Sequence, residues 1–179
     1  MGKRVSFSGE SLNLQDTADF HKDTEAALKQ YYSTVSPTYE IRFFGNSAQD
    51  VESELAVRLA ELNRNSTLTV LALIEARFRI DYELRRRKRK RDPVSTEFRE
   101  LYAAKGSRVS LEDDILGVWR KNKPGHVALV GNLRSAFKFR HWMAHGRYWT
   151  PKFGRQIDYL AAHALAQLTL ASFPLMSAE

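Results

Sequence analysis

Arg140, His141 and His145 fall in one short string, Arg140-His141-Trp142-Met143-Ala144-His145, near the end of an apolar helical stretch. A guanidinium presents paired N–H donors to phosphate or carboxylate oxygens. An imidazole titrates near neutral pH and suits proton transfer. On a helical wheel of about 100° per residue, Val130, Leu133, Phe137 and Ala144 share one side, flanked by Leu129, Ala136 and Met143. Arg140 falls in the middle of that side. A charge placed there needs a partner, either an acid from another helix or a phosphate from a ligand.

Acids of the right kind stand on another apolar helix. Glu75 and Asp81 either pair at i,i+4 with Arg79 and Arg85 on their own helix, or one of them reaches inward and orients Arg140. His141 and His145 are four apart and share an edge of their helix. Histidines near a helix C-terminus also serve as surface or capping cations. A metal site has little support, because no Glu follows the first His as in a zinc protease helix and the chain has no cysteine. No metal is therefore expected, and spacing alone leaves surface and acid–base roles open.

Charge is concentrated rather than spread. The net charge is +7, from 28 Lys and Arg against 21 Asp and Glu. Seven of those cations are consecutive, Arg85-Arg86-Arg87-Lys88-Arg89-Lys90-Arg91, and without them the chain is balanced. Such a block attracts polyanions such as nucleic acid, and it also suits the negative end of a helix. The phosphate-binding glycine loops G-x-x-x-x-G-K-[ST] and G-x-G-x-x-G and the nucleophile elbow G-x-S-x-G are absent. Nucleotide hydrolysis and serine esterase chemistry thus have no visible basis.

The elements that must position these groups are helices. Residues about 11–35 are helical and polar, ending before Ser36-Pro37. Residues 38–44 are extended or irregular, with a short strand as one option. Ser47 and Asp50 form a capping-box pattern, followed by Val51, Leu55, Leu59 and Leu62 at helical spacing. Asn65-Ser66 is a second start signal, for a helix that carries Leu68, Leu71, Ile74 and Phe78 into the basic run and stops at Asp92-Pro93. One or two short helices, broken near Gly106, fill residues 95–121, and residues 121–125 form a loop. The Arg140 helix runs from about His126 to His145, ended by Gly146. A turn at 150–154 leads to a last helix whose core-facing stripe is Ile157, Leu160, Ala161, Ala164, Leu165 and Leu168.

The expected fold is an all-α, up-and-down bundle of four or more helices in one domain over 1–179. About 1–46 form an N-terminal extension and about 47–172 the bundle core. No run of about 18 apolar residues spans a membrane, no secretory pattern is visible, and the lack of cysteine fits a cytoplasmic protein. Met1-Gly2-Lys3-Arg4-Val5-Ser6 matches the short N-myristoylation pattern, with no second anchor after it.

Arg140-His141-Trp142-Met143-Ala144-His145 resembles the R-x4-6-H motif of the HEPN superfamily, with a polar residue directly after the Arg. The continuation Gly146-Arg147-Tyr148-Trp149 is similar to a bacterial subgroup with an RHWxAHGRYW-like string. The motif core is short; helix order extends the resemblance loosely over about 48–172. The resemblance implies a helical bundle that pairs as a homodimer with a composite active site. It implies metal-independent RNA cleavage without a cofactor, leaving 2′,3′-cyclic phosphate and 5′-OH ends, in a toxin or antiviral defence effector with an antitoxin as partner. It implies that Arg140 binds the scissile phosphate, His145 acts as general acid or base, and His141 orients or assists. Within one helix Arg140 and His145 diverge by about 140°, so a second copy would complete the site. Some relatives carry a tyrosine two residues after the His, a target of a partner nucleotidyltransferase. Here that position is Arg147, which puts regulation of that kind in doubt.

Arg147, Tyr148 and Trp149 are instead candidates for contact with phosphate and bases, or for packing at the helix end. Arg85, Arg86, Arg87, Lys88 and Arg89 are the candidate RNA-binding run. A non-catalytic HEPN-like module that binds RNA or protein is the competing expectation.

Overall fold

A computed structural model describes residues 12–152 and 157–177. The N-myristoylation pattern lies outside the described residues, as do residues 153 and 154 of the turn at 150–154. The described residues are all-helical and contain no strand. The helices are α1 (Leu14–Tyr31), α2 (Tyr39–Arg42), α3 (Ala48–Lys88), α4 (Pro93–Lys105), α5 (Leu116–Asn122), α6 (Val127–Ala144) and α7 (Tyr159–Ser172). A π turn, Leu111–Ile115, leads into α5.

The axis of the bundle is α3, 41 residues long and so about 60 Å at 1.5 Å per residue. Its start is the expected capping box: Ser47 Oγ accepts from Asp50 N at 3.2 Å, and Asp50 Oδ2 accepts from Ser47 N at 3.1 Å. The break expected at Asn65-Ser66 does not occur. The polar side chains there, which propensity assigns to a helix start, are used sideways. Asn63 Oδ1 accepts from Tyr159 N at 3.0 Å, and Ser66 Oγ bonds His21 Nδ1 at 2.8 Å. They bind α7 and α1 to the rod instead of opening a new helix. Residues 39–42 are helical rather than extended; here Arg42 bridges Tyr31 O and Ser36 Oγ and ties the turn to the end of α1.

The helix ends come close to expectation, with one change of role. α3 stops at Lys88, with Arg89 in the left-handed region at φ 46°. Asp92 then caps α4, accepting from Ser95 N at 3.0 Å, with Pro93 in the first turn. Asp92-Pro93 thus begins a helix, where proline costs no hydrogen bond, rather than ending the one before.

The main core gathers Val70, Leu71, Ile74 and Phe78 of α3 against Phe98, Trp119, Leu133 and Phe137. Phe173 closes it, its ring centroid 5.5 Å from Phe78 and 5.4 Å from Trp119. Each such ring, fully buried, contributes on the order of 2–3 kcal/mol through apolar area removed from water. A second, smaller cluster of Tyr32, Phe43 and Val51 sits where α1 and α2 meet the start of α3.

The stripe expected on α7 holds only in part: Ile157 and Leu165 pack against the main core, but the most buried face is offset from it. Tyr159, Ala162, Ala166 and Thr169 are buried, whereas Leu160 is 73% and Leu168 54% exposed. Ala164 is exposed as well, and Ile157, Ala161 and Leu165 are half-buried. The crossing with α3 is close, and small side chains permit it. Leu160 and Leu168 are therefore displaced to the outer face.

Candidate active site

α6 positions the site, and its end is built for it. Gly146 N donates to Met143 O at 3.2 Å and Arg147 N to Trp142 O at 3.1 Å. This is the Schellman pattern, with Gly146 left-handed at φ 76°. Trp142 Nε1 donates to Trp149 O at 2.9 Å, so the chain folds back beside the helix end. The His141 and His145 rings lie 4.3 Å apart, and the Trp149 ring is 5.9 Å and 6.5 Å from them respectively. Both imidazoles are exposed.

Of the two partners expected for Arg140, an acid or a phosphate, the fold supplies the acid. Its Nε lies 2.7 Å from Oε2 of Glu75, while Oε1 of Glu75 accepts from Arg79 Nε at 2.8 Å. Glu75 therefore holds both cations at once, and the two readings of its role are both realised. The Arg140 Nε–H has no well-aligned acceptor, so the contact is mainly coulombic. The Arg140 side chain keeps 35% of its exposure. It opens into a cleft of about 360 Å³ lined by Glu75, Arg79, Glu112, Asp113, Arg140 and His141, among others. His145 does not line this cleft; it stands at the exposed helix end next to His141.

Asp81 does not belong to this site. Its side chain is fully buried, and its Oδ1 accepts from Arg85 Nε at 2.7 Å and from Met176 N at 2.9 Å. Its Oδ2 has no aligned donor, and burial pushes its pKa up despite the opposing pull of the Met176 N–H and Arg85.

The basic run divides in two. Arg85 is buried, donating to Asp81, to Asp92 Oδ1 at 3.1 Å and to Pro174 O at 2.8 Å. It is a structural cation and leaves the candidate RNA-binding set, because helical periodicity turns it inward toward Asp81. Arg86 and Arg87 are half-buried and share Glu83, and Arg86 also stacks over Tyr102 at 4.0 Å. Lys88 and Arg89 are exposed, together with Lys90 and Arg91.

Arg147 Nη1 lies 2.7 Å from Glu61 Oε2, which ties the turn after α6 to α3. Tyr148 is 83% exposed and meets Trp149 edge-on at 4.7 Å. Glu112 is the site residue that sequence reasoning missed. It comes from the π turn, some thirty positions before His141, and no local spacing connects the two. Burial pushes its pKa up, with the Asp113 charge adding to that and Arg134, His141 and Lys138 opposing it.

No group of three or more His, Asp or Glu among the described residues is arranged to hold a metal ion. None of the described helices is long and apolar enough to cross a membrane. In comparisons with known proteins, no family model matches the chain, and neither a curated protein nor a solved structure is significantly similar.

Proposed function

We propose that the chain is a metal-independent endoribonuclease of the HEPN type. One observation carries the reading: a half-exposed Arg140, braced by Glu75, opens into a cleft beside an exposed imidazole pair. The guanidinium retains N–H donors that Glu75 does not engage, and these suit phosphate oxygens as negative charge grows on them. His145 takes the proton from the ribose 2′-OH or gives one to the 5′-O leaving group. The 2′-oxygen bonds to phosphorus and the P–O5′ bond breaks, which leaves a 2′,3′-cyclic phosphate and a 5′-OH. His141 orients or assists.

Because His145 stands outside the cleft of its own copy, the scheme calls for a homodimer in which one subunit's Arg140 and the other's His145 share a phosphate. A toxin or antiviral effector with an antitoxin partner is the setting in which such an activity fits, and a cytoplasmic one gives access to RNA. The same displacement of His145 favours, as a second reading, a non-catalytic HEPN-like module that binds RNA or a protein.

The test is incubation of the purified protein with single-stranded RNAs and tRNA in EDTA, beside Arg140→Ala and His145→Ala. Cleavage by the wild type alone, with cyclic phosphate ends and a dimer in sedimentation, is the expected result. If the wild type leaves the whole panel intact, the catalytic reading is lost. Cleavage only on addition of a divalent ion overturns the metal-independent mechanism.

A further inference from the structure

Glu112 is common to two clefts. One holds Arg140; the other, of about 400 Å³, is lined by Glu112, Lys138, His141, Trp149, Pro151 and Lys152. The two meet at Glu112 and His141. The Glu112 backbone is pinned, because Arg134 Nε and Nη2 donate to its carbonyl at 3.0 Å and 2.7 Å. Its half-buried carboxylate makes no hydrogen bond or ion pair among the described residues. Arg134, Lys138 and His141 act on it only through space. A carboxylate that no neighbouring side chain engages keeps its acceptors available to a ligand in the cleft.

The rest of the wall shows what kind of ligand. Trp149 is half-buried, and the Trp142 Nε1 bond to its carbonyl fixes its backbone. An indole face is a stacking platform for a nucleobase. Lys138 and Lys152 supply positive charge for the attached phosphates. An ionised carboxylate has two parallel acceptors and no donor. Guanine alone among the four bases presents two adjacent donors, N1–H and N2–H, on its Watson–Crick edge. Adenine and cytosine set an acceptor beside their amino group, and uracil has one N–H between two carbonyls.

We infer that this second cleft is a guanine subsite, with the base stacked on Trp149 and its N1–H and N2–H donating to Glu112. It rests on the nuclease reading, since it sets the guanosine's phosphate beside His141 and Arg140. A bidentate pair of this kind discriminates about 10–100-fold.

Two readouts test it. The first is titration of the protein with GMP, AMP, CMP and UMP in a calorimeter. The second is cleavage of four otherwise deoxy strands, each with a single ribonucleotide of one base. Wild type is expected to bind GMP, and to cleave at riboguanosine, about 10-fold or more better than the other three. In Glu112→Gln, which replaces one acceptor by a donor, that ratio shrinks toward one; a merely structural defect would lower all four values together and keep the ratio. Cleavage without base preference, or a preference that survives in Glu112→Gln, overturns the subsite and leaves the nuclease standing. Selective, Glu112-dependent GMP binding without cleavage of any strand sustains the subsite and overturns the nuclease.

Discussion

Glu75 Oε2 stands 2.7 Å from Arg140 Nε, and this contact joins the middle of α3 to the last turns of α6. The other oxygen of the same carboxylate holds Arg79. Glu75 is thus a positioning residue, and its neutral isostere should loosen the guanidinium without removing it. Glu75→Gln is expected to lower kcat/KM for RNA cleavage by about 10–100-fold, the scale of a misplaced reacting group. The stability loss should be about 1–3 kcal/mol, because Arg79 and Arg140 lose the negative charge that they share. Paired rate and urea-unfolding measurements check this; an unchanged rate would remove Glu75 from the site.

Gly146 ends α6 at φ 76°, and a β-carbon there would meet no atom within 4 Å. The cost of Gly146→Ala is therefore conformational alone, about 1–2 kcal/mol. Because the turn also sets Trp149 beside the histidines, cleavage should fall by more than the loss of folded protein explains. Equal losses in activity and in folded fraction would limit the glycine to a structural role.

His21 joins three helices. Its ring stacks on Tyr159 at 3.8 Å and its Nδ1 bonds Ser66. Burial holds its pKa below the ordinary 6.5, with Glu25 pulling weakly the other way. Between the lowered folded value and 6.5, the unfolded chain therefore binds a proton that the folded chain refuses. Stability contributed by His21 is present above 6.5 and is lost as the pH falls toward the folded value. The gap in urea midpoint between wild type and His21→Gln should narrow as the pH drops from 8 to 5, values chosen to bracket about one His titration. A gap that is constant with pH contradicts this.

The two halves of the basic run should behave oppositely. Replacing Lys88, Arg89, Lys90 and Arg91 by Gln leaves the fold intact and flattens the salt dependence of RNA binding, by about 0.7 in log–log slope for each phosphate that is no longer neutralised. Arg85→Gln instead strands the buried Asp81 and costs about 3–5 kcal/mol. Urea unfolding and filter binding at several KCl concentrations separate the two. An unchanged salt slope would assign the exposed cations to solvent.

Local grammar was readable in the sequence. The Ser47–Asp50 box, the Gly146 stop and the need of Arg140 for an anionic partner are one-helix or one-turn problems. Residues that act across helices were not readable. Asn65-Ser66 looks like a helix start until His21 is placed against Ser66 and Tyr159 against nearby Asn63. Leu160 and Leu168 look like core until α7 crosses α3 on its alanines. Arg85 looks like one cation among seven until Asp81 and the C-terminal segment enclose it. Glu112 reaches the site only through the packing of the π turn against α6.

The bonds that Asp81 and Arg85 make with the C-terminal segment come from its main chain, Met176 N and Pro174 O. Any residue with a peptide N–H can stand at 176, and any residue at all offers the carbonyl at 174. What the buried charges demand of this stretch is reach, not spelling: trimming it would uncover them, while rewriting those two letters would leave them solvated by the same peptide groups.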